Sequence, residues 1–262
     1  MDGAGETPTT SIAGKLRQLL HDIVRNDGAP ALDGRSVTVL LATPILLVAY
    51  YYYARFEYVQ PALLGWSMES FGEEWPHHGL IGFSVSAAAS LLIRVVIPLV
   101  LIVVVIRDSP RDYGFRVRGT LTHAPAYGLL LVAVLPLVYW ASGQESFLST
   151  YPFYRPAILG GWPLWAYEVT YLIQFFSIEA FFRGFIVFGL RPRLGYYSVF
   201  VMVIPYCMIH FGKPVPEALA AIFAGVVLGV LALRSGSFYL GVVLHCVVAL
   251  LMDLLAVYSL GA

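Results

Sequence analysis

Charge is what this 262-residue chain has least of. Only 12% of its residues are Asp, Glu, Lys or Arg, against about 25% in ordinary soluble domains. A chain so poor in polar side chains cannot cover the surface of a soluble globule. Sixteen Lys and Arg are matched by sixteen Asp and Glu, so there is no net positive field to attract phosphates, which excludes a soluble nucleic-acid binder. Cysteine is scarce as well. Cys207 and Cys246 cannot supply a disulfide framework, and each lies in an apolar segment where a thiol packs as a small hydrophobe. An internal repeat, the usual mark of an ion-coupled carrier, is not visible. What the chain does have is hydrophobicity: 59% of residues are apolar or aromatic and mean hydropathy is +0.76. That excludes intrinsic disorder and leaves an all-α polytopic membrane bundle.

A helix crossing the hydrocarbon core needs about 20 apolar residues. Seven segments qualify as spans: 37–54, 80–106, 124–142, 162–190, 196–210, 215–233 and 238–260. The fourth is long enough to tilt or break. The fifth is short and stops at His210-Phe211-Gly212-Lys213-Pro214, where Gly and Pro end a helix; an end of this kind is expected inside the bundle. Residues 1–36 form a separate N-terminal segment ahead of a bundle over 37–262. In it Ile12, Leu16, Leu19, Leu20, Ile23 and Val24 fall at helical spacing, which predicts an amphipathic surface helix over 11–25. It has no continuous apolar core or small-residue cleavage site, so it does not read as a signal peptide.

The basic residues give an orientation. Lys15, Arg17, Arg25, Arg35, Arg107, Arg111, Arg116, Arg118, Arg191, Arg193 and Arg234 fall on one side of the alternating spans, and Arg55, Arg155 and Lys213 on the other. The positive-inside rule then predicts a cytoplasmic N-terminus in a multi-pass cell-membrane protein. Tyr50–Tyr53 and the pair Trp162 and Trp165 read as interfacial aromatic belts. Gly225 and Gly229, preceded by Ala221, give the sixth span a small-residue stripe for close helix contact.

An ionisable side chain at the centre of a span costs at least ~2.5 kcal/mol, so the few present are the strongest functional pointers. They are Arg94, Glu168, Glu179, Arg183, His210, His245 and Asp253, with Glu217 at the start of a span. Glu179 and Arg183, at i and i+4, share a helix face and can pair. Glu168, near the outer end of its span, is expected to snorkel toward water. Glu217 follows two prolines in a first turn, where an acid complements the helix dipole. At ~1.5 Å per residue, Glu179, His210 and His245 lie roughly 18, 21 and 13 Å from the basic ends of their spans. These depths permit one shared polar site. Asp253, about 12 Å beyond His245 along the axis, needs a partner on another helix, and His210 or Arg94 are the expected ones; reaching outer water near the end of the span is the alternative. A glutamate with two histidines in dry surroundings suits activation of water: Glu179 is the expected general base, one histidine orients the water or protonates the leaving amine, and the second stabilises the oxyanion. Zinc is a lesser alternative. His245 and Cys246 point about 100° apart on a helix, which leaves Glu179, His210 and His245 as the only open three-ligand set; no cofactor is expected.

The motifs carry a family resemblance. Glu179-x-x-x-Arg183-Gly184, Tyr206-x-x-x-His210 and His245 on the last span resemble the three motifs of the Abi/CPBP family, the type II CAAX proteases and bacteriocin-processing or immunity proteins. Asp112-Tyr113-Gly114-Phe115 resembles a common lead-in of that family. The resemblance covers residues 110–260. It implies a glutamate-dependent intramembrane endopeptidase acting on a membrane-associated peptide or protein, with Glu179, His210 and His245 catalytic and Arg183 supporting; Asp253, one turn beyond Ala249, is expected to support the site in place of the family's asparagine. The chain departs from the pattern at two places: Ile178 stands where the family has its first glutamate, and Ala249 where it has asparagine. A divergent protease and an inactive relative acting as a scaffold or immunity protein are the two readings that follow.

Overall fold

The computed structural model describes residues 33–261 and, ahead of them, Gly14 alone. The surface helix expected over 11–25 therefore lies outside the described residues. Among the described residues the chain is helical, without strands. We label the helices α1 (Gly34–Tyr53), α2 (Phe56–Phe71), α3 (His78–Ile106), α4 (Ala124–Ser142), α5 (Gly161–Leu194), α6 (Tyr197–Met208), α7 (Val215–Ser235) and α8 (Tyr239–Gly261). Short helical turns interrupt the connections at Pro110–Tyr113, Thr120–His123, Glu145–Leu148 and Arg155–Leu159. Six helices are long and apolar enough to cross a membrane, and α6 is a shorter apolar helix. Together they account for the seven segments read from hydropathy.

The sequence reading missed α2. Its apolar residues are broken by Glu57, Gln60, Ser67 and Glu69, so it has no span-length run. It folds back on the start of α3: the Phe56 and Phe83 rings stack at 3.8 Å, and Ser67 Oγ bonds His78 Nδ1 at 2.9 Å.

Helix α5 is the axis of the bundle. Its most apolar window is 72% buried, against 11–28% for the other five long helices. Of the two expectations for this long span, a tilt or a break, the break does not occur. The helix instead widens into a π-helical stretch at Ala180–Phe188, immediately after Glu179. Each i→i+5 turn admits one more residue than an α turn, so the faces beyond it rotate, and such stretches recur at functional sites. Phe181, Phe182, Phe185, Ile186 and Val187 fill the core around it against Val39 of α1, Ile102 of α3, and Val199, Met202 and Val203 of α6. A second apolar cluster, with Leu164, Tyr167, Tyr171 and Phe175 of α5, packs on Phe83 of α3 and Ala249 of α8.

The small-residue stripe does what its spacing suggests. A Cβ at Gly229 would sit 2.7 Å from Val199 Cγ1, and one at Gly225 3.0 Å from Val203 and 3.1 Å from Tyr206. The two glycines thus let α7 close on α6 and fix the position of Tyr206. Of the aromatic belt, Tyr51, Tyr52, Tyr53, Trp162 and Trp165 are exposed. Tyr50 turns inward instead and donates to Gln174 Oε1 at 2.7 Å.

Candidate active site

Glu179 sits midway along α5 with no solvent exposure, and Arg183 is likewise fully buried. Arg183 Nη1 donates to Glu179 Oε1 at 2.9 Å. The same oxygen lies 3.0 Å from His245 Nδ1 on α8. A carboxylate only accepts, so with Glu179 ionised against Arg183 it is His245 Nδ1 that carries the proton. In the neutral ring this fixes the tautomer and leaves Nε2 with its lone pair. The imidazole also packs on Phe175, ring centroids 4.4 Å apart.

Close approach of α8 makes the contact possible. A Cβ at Gly241, one turn before His245, would stand 2.8 Å from Glu179 Oε2. Only a residue without a side chain lets α8 lie this near the carboxylate. Among the described residues Oε2 itself has no hydrogen-bond partner.

His210 joins the group through Tyr206. Its Nδ1 lies 2.8 Å from the Tyr206 carbonyl; a carbonyl only accepts, so Nδ1 again donates and Nε2 is left free. The two rings are 4.9 Å apart. The Tyr206 ring in turn carries the Arg183 guanidinium, 4.1 Å above its centroid, a cation–π contact strengthened by its desolvated setting. The chain of contacts therefore runs His210, Tyr206, Arg183, Glu179, His245, across α6, α5 and α8. The expected enclosure of the fifth span's end inside the bundle is met only at His210, which is buried; Met208 and Phe211 on either side are 56% and 67% exposed.

The remaining ionisable residues are placed differently from the sequence reading. Asp253 is fully buried and does not reach outer water. Nor does it meet His210 or Arg94: it faces Glu168 and Tyr167 of α5. The reason is rotational, since eight residues beyond His245 an α-helix has turned about 80° and presents Asp253 to the N-terminal half of α5. Glu168 is 1% exposed, so it does not snorkel. Among the described residues, none of the four carboxyl oxygens, nor the Tyr167 hydroxyl, completes a hydrogen bond of ordinary geometry. Arg94 is held elsewhere, its guanidinium 3.5 Å above the Tyr50 ring and donating to Ser90 Oγ at 3.2 Å. Glu217 does more than complement a dipole: it accepts from Tyr151 Oη at 2.7 Å and from Lys213 Nζ at 2.6 Å, tying the loop before α5 to the start of α7.

Ile178 and Ala249, at the two departures from the motif pattern, both take up apolar packing; Ala249 is 3% exposed among Tyr171, Phe175 and Leu164. The lead-in residues Tyr113 and Gly114 close on the far end of α5, where a Cβ at Gly114 would lie 2.6 Å from Phe188. Cys207 and Cys246 are free thiols whose sulfurs lie 3.9 Å from the carbonyls of Ala218 and Leu172. Among the described residues no three His, Cys, Asp or Glu side chains form a metal-binding group.

The sequence reading passed over three contributors. Tyr206 was legible only as a motif letter, although an aromatic residue one turn before a buried histidine is a natural shelf for a cation. Gly241 had no local signal at all. Phe175, four residues before Glu179, lies on the face that meets α8.

Comparison with protein families agrees with the motif reading. Residues 160–251 match the model of the Rce1-like family, described as type II CAAX prenyl endopeptidase Rce1-like. The matched region holds Glu179, Arg183, His210 and His245. Comparison with curated proteins and with solved structures returned no match.

Proposed function

We propose that this chain is an intramembrane endopeptidase that hydrolyses a peptide bond of a membrane-associated substrate through Glu179, His210 and His245. The observation that carries the reading is the bond from His245 Nδ1 to Glu179 Oε1, 3.0 Å long and anchored by a fully buried arginine. A carboxylate that holds one imidazole nitrogen leaves the other free as a base, the arrangement that serves hydrolytic triads. In this reading His245 Nε2 takes a proton from water. The resulting hydroxide adds to the scissile carbonyl, the C–N bond breaks, and the proton passes to the departing amine. His210 Nε2, an acceptor in the neutral ring, orients the same water. Glu179 orients His245 and balances the imidazolium that forms; Arg183 and Tyr206 keep the carboxylate in place.

The family description makes a prenylated C-terminal peptide the first substrate to test. With the N-terminus cytoplasmic, as the basic residues suggest, such a peptide reaches the site from the cytoplasmic face of the cell membrane. The test uses the full chain in liposomes with an internally quenched farnesylated peptide. Glu179→Gln and His245→Ala are expected to lower cleavage at least ~100-fold, the usual reach of general acid–base catalysis, with unchanged elution and helicity. Cleavage by Glu179→Gln at the wild-type rate overturns the reading.

Ile178 and Ala249 favour a second reading, an inactive relative serving as a membrane scaffold or immunity protein. It predicts that the wild type cleaves no membrane peptide, and that neutral replacements of Glu179 and both histidines leave its biological effect intact.

A further inference from the structure

A separate concentration of charge lies at the end of the bundle opposite Lys213 and Glu217. A cavity of about 360 Å³ opens there, lined by Arg35 of α1, Arg111 and Arg116 of the loop before α4, Arg191 near the end of α5 and Gly236 between α7 and α8, with Phe188 in its wall. Three segments distant in sequence thus bring guanidinium groups to one concavity, and Gly236 closes it from a fourth.

These arginines are not equivalent. Arg35 is already neutralised by an ion pair with Asp108, which also accepts from Tyr113 Oη at 3.0 Å. Burial, with that hydrogen bond, pushes the Tyr113 hydroxyl up from its usual range, so it stays a donor to Asp108. Arg111, Arg116 and Arg191 have no acidic, hydrogen-bonding or aromatic partner for their guanidinium groups among the described residues. The only acid in the lining is Asp112. Three unpaired guanidinium groups against one carboxylate make the cavity anion-selective, and the planar donor fork of arginine matches phosphate oxygens two at a time.

The surroundings identify the source of the phosphate. Val117 and Leu121, on the loop that carries Arg116, are 65% and 75% exposed, and Tyr196 and Tyr197, just beyond Arg191, are 54% and 74% exposed. Exposed apolar and aromatic side chains interleaved with arginines are what a bilayer interface accommodates and water does not. A free phosphate would leave that apolar rim uncovered; a phospholipid covers it with acyl chain.

We propose that this cavity binds the phosphodiester headgroup of an anionic lipid, with Arg116 and Arg191 as its principal ligands. Bound there, the lipid ties the loop before α4 to the end of α5, the helix that carries Glu179.

The test uses the full chain in phosphatidylcholine nanodiscs containing graded fractions of phosphatidylglycerol, with retained phosphatidylglycerol counted by native mass spectrometry. The double variant Arg116→Gln/Arg191→Gln is expected to bind roughly 25-fold more weakly, about 1 kcal/mol for each arginine. The control Arg107→Gln/Arg234→Gln removes the same charge outside the cavity and is expected to retain wild-type binding. Equal losses in the two doubles would reduce the effect to a general surface field and overturn the proposal. Arg116→Lys/Arg191→Lys preserves charge and guards against a folding artefact; loss of the donor fork alone is expected to weaken binding several-fold. In detergent, short-chain phosphatidylglycerol is expected to raise the melting temperature and inorganic phosphate to leave it unchanged. An equal rise with phosphate would assign the cavity to the free ion and overturn the lipid reading.

Discussion

Helices α5 and α8 face each other across two pairs of ionisable groups, all buried except the half-buried His245, and the two pairs are built in opposite ways. At the inner level Glu179 meets His245 with Arg183 beside both, and one carboxylate oxygen accepts from each. At the outer level, eleven residues earlier on α5 and eight later on α8, Glu168 meets Asp253, and among the described residues no basic side chain bonds to either. Burial is the same at both levels, 1% exposure or less for all three acids. The difference is therefore compensation. A buried ion pair stripped of one partner is strongly destabilising, whereas a buried acid without a base has no such partner to lose. The inner level is tuned to keep a charge at one point, next to an imidazole. The outer level asks only for polar side chains of the right shape.

The largest expected effect breaks the inner level. Arg183→Leu leaves Glu179 buried without its base and should lower stability by about 3–5 kcal/mol, read from chemical unfolding in detergent. Adding Glu179→Leu to the same chain should recover most of that loss. A single variant as stable as the wild type would mean that the pair carries no charge.

A smaller effect is expected at Gly241. A Cβ there falls 2.8 Å from Glu179 Oε2, so Gly241→Ala must push α8 away from α5. We expect a loss of about 1–3 kcal/mol, typical of overpacking. Peptide cleavage should fall far more than stability does, because the contact from His245 to Glu179 lengthens. Parallel measurement of melting temperature and cleavage rate separates the two; full activity would show that His245 does not depend on that approach.

The smallest effect sharpens the contrast from the outer side. Glu168→Gln and Asp253→Asn keep shape and hydrogen-bonding capacity while removing the carboxyl. Each should change stability by less than about 1 kcal/mol, or raise it, and leave cleavage intact. A collapse comparable to that of Arg183→Leu would show that the outer pair is as strictly matched as the inner one.

Much of the bundle was legible before any coordinates. Seven apolar segments were visible in the chain, and the structure has six long apolar helices and one short one in the same places. Helix α2 escaped because its apolar residues are interrupted by charges and it packs on the start of α3 rather than forming a span. The pair Glu179 and Arg183 was legible because both residues lie on one helix, where spacing alone sets the distance. Asp253 and Glu168 were misplaced because helix spacing describes a residue's own helix and says nothing of what faces it. Tyr206 was read as a motif position, and its service as a shelf for Arg183 became visible only with α6 packed on α5.

The sequence by itself determined the class of the molecule, the succession of its apolar helices and the local partner of its central acid. Those properties depend on transfer of short segments out of water and on backbone periodicity, both local in the chain. Tertiary structure alone decided which acid meets a histidine and which meets another acid. That choice turns on how α8 is rotated about its axis, on the lack of a side chain at Gly241 that lets it approach, and on the π-helical stretch that redirects α5 just past Glu179. Each is a relation between helices, and the free energy that selects it comes from desolvation and packing at their contact.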